Sequence, residues 1–196
     1  TNAYDSVEVL KLLDGIVSVY LPDLKYAGDD EGFLYSKVRS YASVSRAAIA
    51  EMFRQMGDEL DYDQDGLLKR GLVIRLLVLP NDVGSVSESL RWIRDELSPR
   101  VAVSLMAQYY PTNVAGTNPR YTLLSRRIRE TEWLRAVAAL VSTGTVDLET
   151  TILAPFSAAP MSRATACTAP TWAWPSARIG EVLDVPLARP RKRLSL

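Results

Sequence analysis

The chain contains no histidine, and in 196 residues it has one cysteine, Cys167. Without an imidazole it can have no His-based triad, no His metal ligand and no His general base. One thiol rules out a disulfide framework within the chain and points to a reducing, cytoplasmic setting. No run of about 18 apolar residues occurs, so no membrane span is expected. Charge of one sign is not in excess either: 23 basic residues balance 23 acidic ones. That balance argues against broad electrostatic binding to nucleic acid or to an anionic membrane. Chemistry therefore falls to carboxylates, Lys, Arg, Tyr, Ser or a bound cofactor.

What is present is an ordinary globular composition, 47% apolar and 23% charged, in a chain long enough for one core. The opening Thr1-Asn2-Ala3-Tyr4 is neither a methionine start nor a signal peptide, and it reads as a cut inside a longer protein. Asp5 with Glu8 predicts a capped helix over residues 5–13, ended by Gly15. The β-branched and aromatic run Ile16 to Leu21 predicts a strand. If that strand continues, residues 17, 19, 21, 23 and 25 share a face, which sets Asp23 beside Lys25 at its end. Residues 27–43 read as polar and irregular. Ile49, Met52, Phe53 and Met56 mark a helix over 44–56 with Gly57 after it.

The acidic segment Asp58 to Gly66 reads as a solvated loop. Its Asp61-Tyr62-Asp63-Gln64-Asp65-Gly66 has the start of an EF-hand, but the twelfth position is Leu72, so no calcium site is expected. Leu72 to Leu79 predicts a strand buried on both faces and interrupted only by Arg75. Ser85 and Glu88 form a capping-box pair for a helix through Val86, Leu90, Ile93 and Leu97. Val101 to Met106 predicts the next strand, and Leu134, Val137, Ala138 and Val141 a last helix. Such alternation implies parallel βα units with ligand sites at the C-terminal strand ends, where Asp23, Lys25, Asn81, Gln108 and Tyr109 fall. The domain is expected over 1–150. Residues 151–196 hold 6 of the 11 prolines, with six basic and two acidic residues, a net of about +4, and are expected to be largely unstructured. Their Arg189-Pro190-Arg191-Lys192-Arg193 has the form of a nucleic-acid or localisation tag but reads as part of a solvated tail, and Trp172 and Trp174 suggest a contact site without a legible role.

Several segments in order resemble one family. They are Thr1-Asn2-Ala3-Tyr4, Leu12 to Val17, Tyr20-Leu21-Pro22-Asp23-Leu24-Lys25-Tyr26, Arg46 to Ile49, Met52 to Gly57, Arg70 to Asn81, and Val103 to Tyr109. Together they are similar to the later part of radical S-adenosylmethionine proteins related to pyruvate formate-lyase activating enzyme. The resemblance covers residues 1 to about 144. It implies an α/β fold, a partial barrel of six βα units of which this chain supplies roughly the C-terminal half. It also implies a 4Fe–4S cluster that reductively cleaves S-adenosylmethionine, the resulting 5′-deoxyadenosyl radical abstracting hydrogen from a substrate. In activating enzymes that substrate is a glycine of a partner protein. The family's CxxxCxxC motif and its Gly-Gly-Glu-Pro segment are absent here. A cluster with one iron open to ligand needs three protein thiolates, so this chain alone is not expected to hold it.

The resemblance also implies roles. Asp23, Lys25, Arg75, Thr1 and Asn2 would face the S-adenosylmethionine pocket, with Lys25 near the methionine carboxylate or ribose. Gln108, Tyr109 and Tyr110 would lie on the substrate side. On physical grounds alone, Asp23 and Lys25 are a salt-bridged strand end, and Arg75 needs a carboxylate such as Asp23, because a charge inside an apolar strand is costly unless paired. Two other readings stand beside this one: a barrel-like metabolic enzyme using Asp23 and Lys25 as acid and base, and a non-enzymatic module whose exposed sheet associates with another chain.

Overall fold

The computed structural model describes residues 1–144 together with Ile152–Leu153. Cys167, Trp172, Trp174 and the Arg189–Arg193 run lie outside the described residues. Helix α1 (Val7–Leu12) starts on Ser6, whose hydroxyl accepts from the Val9 N–H. Asp5, expected as the cap, instead receives the Thr1 hydroxyl. Strand β1 (Val19–Tyr20) is shorter than the run from Ile16, because Ile16 and Val17 donate back to the Leu13 carbonyl and finish the helix turn.

Where an irregular segment was expected, two helices form, α2 (Asp29–Ser36) and the start of α3 (Tyr41–Met56). Phe33 and Leu34 of α2 are exposed, so no apolar stripe announced that helix. The cap of α3 comes from a distance. Ser40 sits in a left-handed conformation with no capping bond, and the Asp29 carboxylate accepts from the N–H groups of Ala42 (2.7 Å) and Ser43 and from the Ser43 hydroxyl. These bonds hold the Asp29 carboxyl below its ordinary range, the Ser43 hydroxyl contributing most.

The acidic segment is a hairpin rather than a loop: β2 (Asp61–Tyr62) pairs antiparallel with the first residues of β3 (Leu68–Leu77). Its turn is tied by Asp63, whose carboxylate accepts from Asp65 N and Leu67 N, and Gly66 takes φ +78°. Helix α4 (Val86–Trp92) continues into one π-helical stretch, Ile93–Leu97. The expected Ser85–Glu88 capping box does not form. Ser85 is left-handed, and Glu88 reaches Arg46 instead at 3.7 Å. Strand β4 (Ala102–Met106) leads through two short 3-10 turns to α5 (Glu130–Ser142). Ile152–Leu153, inside the stretch expected to lack structure, form β5.

The parallel strands run β1-β3-β4-β5, in chain order, and β2 is attached to the N-terminal half of β3. In register, Ile74 lies beside Val103 and Leu76 beside Leu105. These four are fully buried together with Ile49 and Met52 of α3, Leu90 of α4 and Leu140 of α5. Each such side chain contributes about 1.5–3 kcal/mol. The alternate residues Val73, Arg75 and Leu77 of β3 are only half-buried. β3 is thus buried on one face, which corrects the expectation of two. Side chains alternate along a strand, so β3 turns one face to the helices and a half-buried face the other way, on which Ser104 and Met106 of β4 are buried.

Removing the remote cap isolates its contribution. Asp29→Ala is expected to lower stability by about 1 kcal/mol, read as a shift of the urea midpoint at unchanged slope.

Candidate functional site

The less buried face of the sheet carries the charged residues. Register aligns Asp23 with Arg75 and Arg75 with Ser104. Arg75 Nε lies 2.6 Å from Asp23 Oδ1. Both atoms are shielded from solvent, and neither completes a well-aligned hydrogen bond. Backbone bonds lock the pair in place: Arg75 N donates to Pro22 O (2.8 Å) and Leu24 N to Arg75 O (2.9 Å). The partner of Asp23 is therefore Arg75, not its strand neighbour Lys25. The Lys25 ammonium makes no hydrogen bond or ion pair among the described residues.

Thr1 and Asn2 adjoin this pair through their backbones. Asp23 N donates to Thr1 O at 3.0 Å, and the Thr1 amine to Leu21 O at 3.3 Å. The Asn2 side chain is turned into its own loop, accepting from Tyr4 N. Tyr41, which sequence reasoning did not single out, joins the pieces. Its hydroxyl accepts from Lys25 N at 3.0 Å and lies 3.0 Å from Asp23 O and 3.3 Å from Asn2 O, donating to one of them. Burial pushes this phenol up to about 12, so it stays protonated. Gly84 was missed too. A Cβ there would come within 2.9 Å of Lys25 O, so the loop after β3 packs directly on the Lys25 backbone. Neither residue carries a local motif; only the tertiary contact reveals them.

The residues expected on the substrate side separate. Gln108 is exposed, its amide 3.6 Å from Met106 Sδ. Tyr109 donates to Leu124 O at 2.7 Å, and burial raises its pKa, so it braces the loop after β4. Tyr110 is exposed, with the Arg127 guanidinium 4.6 Å from its ring centre. Asn81 is a structural knot: its N–H donates to Glu132, its amide nitrogen to Leu123 O, and its amide oxygen accepts from Arg126.

Backbone strain is concentrated in the loop after β3. The non-glycine residues at positive φ are Ala3, Lys37, Ser40, Asn81, Asp82, Ser85 and Asn113. Asn81, Asp82 and Ser85 lie in the loop after β3 and Asn113 in the loop after β4, while Ala3 precedes α1 and Lys37 and Ser40 sit in the α2–α3 turn. Left-handed non-glycine residues cost of order 1 kcal/mol each and gather at functional sites.

No family model matches the chain, and no solved structure matches it. It is 28% identical over 137 residues to Uncharacterized protein MJ0674 of Methanocaldococcus jannaschii, a stretch that covers 70% of this chain. The chain spans about a third of that relative's length, the match covering 35% of it.

Tyr41→Phe leaves Lys25 N and two carbonyls without their shared partner. The expected cost is about 1–3 kcal/mol, with faster amide hydrogen exchange at Lys25 than in wild type. Glu132 sets the acid behaviour of the Asn81 knot. Arg126 holds its carboxyl down to about 2 from an ordinary 4.5. That contribution is complete above pH 4.5 and is lost as pH falls toward 2. Glu132→Gln should therefore flatten this part of the stability–pH curve in urea titrations.

Proposed function

We propose that the chain is the C-terminal part of a cytoplasmic radical S-adenosylmethionine protein of the activating-enzyme-like kind, an oxidoreductase. In this reading the sheet is part of a barrel wall and Asp23, Lys25 and Arg75 form its cofactor-binding edge. The single observation that carries the reading is the Asp23–Arg75 pair on the less buried face of an in-order parallel sheet, near the C-terminal ends of β1 and β3, with residues 1–2 beside it.

The donor set fits one of the two implied groups. S-adenosylmethionine offers a carboxylate, an ammonium and ribose hydroxyls. The uncommitted Lys25 ammonium and the outer N–H groups of Arg75 suit the carboxylate, and Asp23 suits a hydroxyl or the ammonium. The 4Fe–4S cluster does not fit. Cys167 is the only thiol, and among the described residues no group of three or more His, Cys, Asp or Glu could hold a metal ion. Next to such a cluster in a longer protein, bound S-adenosylmethionine would supply a hydrogen-abstracting group. The work of this chain is to bind and orient: Arg75 fixes Asp23, Tyr41 fixes the backbone of residues 23–25, and Gly84 lets the loop after β3 close on Lys25. Of the substrate-side residues Gln108 and Tyr110 are exposed, and in this reading they would meet a protein segment as the substrate. Direct acid–base chemistry by Asp23 and Lys25 is less well supported, because the Asp23 carboxylate is held by a guanidinium. No helix of the described residues is long and apolar enough to cross a membrane.

Anaerobic reconstitution of the longer protein should give a cluster spectrum and reductant-dependent formation of 5′-deoxyadenosine; this chain alone should give neither. Arg75→Leu in that protein should raise the KM for S-adenosylmethionine about tenfold or more, the loss expected for a charge-assisted contact. An unchanged KM, or a longer protein without cluster thiolates, would overturn the proposal.

A further inference from the structure

Acidic residues are missing from two stretches of the sequence, 32–50 and 97–129. The cations there are Lys37, Arg39 and Arg46 in the first, and Arg100, Arg120, Arg126, Arg127 and Arg129 in the second. Three of them are used internally: Arg46 faces Glu88, Arg100 pairs with Asp58 and Arg126 with Glu132. Lys37, Arg39 and Arg120 are exposed and make no ion pair among the described residues.

The fold brings these stretches together. Tyr35 and Tyr121 are 6.1 Å apart between ring centres. Lys37 Nζ lies 5.9 Å from the Phe33 ring centre and 5.6 Å from that of Tyr121, and the Arg39 guanidinium lies 5.5 Å from Phe33. Phe33 and Leu34 remain 50% and 41% exposed, so large apolar side chains and unpaired cations share one surface. The carboxylates of α2, Asp29, Asp30 and Glu31, lie in its first turn; Asp29 is bonded to the start of α3, and Glu31 lies near Tyr35 at the margin of this surface. The backbone is also strained here, with Lys37 and Ser40 both at positive φ on either side of Arg39.

We infer that this surface, formed by α2, the α2–α3 turn and the 3-10 turn at Pro119–Leu124, docks an acidic polypeptide segment that also carries aromatic or aliphatic side chains. Charge complementarity selects the carboxylates, and Phe33 with Leu34 selects the apolar groups between them. A single-stranded nucleic acid fits less well, because it needs open ring faces for stacking, and here the chain's own cations already lie against Phe33 and Tyr121. The chain's own C-terminal stretch, with a net charge of about +4, is excluded by sign. The acidic hairpin of a second copy fits less well, since Asp58 is held by Arg100 and Asp61 lies opposite Arg70. This inference goes beyond the proposed function and stands whether or not S-adenosylmethionine binds.

The test is fluorescence anisotropy on the 196-residue chain at low ionic strength, with a labelled peptide of alternating Glu and Tyr, an all-Glu peptide of equal length and an oligo-dT strand. The Glu/Tyr peptide should bind most tightly. Arg39→Glu with Arg120→Glu should weaken it about tenfold or more, as for removal of interface hot spots. Phe33→Ser should reduce Glu/Tyr binding toward the all-Glu level, and Arg91→Glu on α4 should change nothing. Arg120→Glu alone, a surface change in a short turn, should still weaken binding severalfold if the double variant fails to fold. The inference is overturned if the charge reversals leave peptide binding unchanged, if oligo-dT binds more tightly, or if sedimentation shows a self-associated chain that the peptide dissociates.

Discussion

The alternation of side chains along β3 is the constraint from which the rest follows. Leu72, Ile74 and Leu76 point one way and meet the apolar faces of α3, α4 and α5. Period two then obliges Val73, Arg75 and Leu77 to point the other way. A guanidinium inside an apolar strand is tolerable because the chain just past β1 places a carboxylate, Asp23, at the matching register. One geometric rule thus fixes the core and delivers the charge pair to the less buried face.

Around that pair the molecule invests in position. Tyr41 reaches from the first turn of α3 to the backbone of both the N-terminal segment and the end of β1. Asp29 caps α3 from the neighbouring helix, so the anchoring of Tyr41 depends on α2 as well. Gly84 closes the loop after β3 onto Lys25. Three non-glycine residues at positive φ, Asn81, Asp82 and Ser85, lie in that loop. Such a distribution is expected where loops are shaped for binding and a rigid sheet carries them.

Much of the core was legible in the sequence because it is periodic: α3, β3, β4 and α5 all carry their burial in apolar spacing. The pairing of Arg75 with Asp23 was legible from electrostatics, as one of the two arrangements that make a strand-interior cation affordable. What could not be read was what lacks a local signature. Helix α2 has no apolar stripe, and Phe33 and Leu34 face solvent. Ser85 and Glu88 spell a capping box, yet the left-handed backbone at Ser85 prevents it and Arg46 draws Glu88 away. Asn81 looked like a ligand-facing residue and is a knot, because Glu132, far along the chain, folds back onto it. Lys25 is the partner the sequence suggests for Asp23, but Asp23 pairs across the sheet with Arg75.

The central claim is that the Asp23–Arg75 edge recognises S-adenosylmethionine. The most direct measurement is a nuclear magnetic resonance titration of the isotopically labelled chain with S-adenosylmethionine. The account predicts shift changes concentrated at the amides of residues 2, 23–26 and 75–79, lost in Arg75→Leu. No response there, or changes centred on the acidic hairpin at residues 58–66, would contradict it.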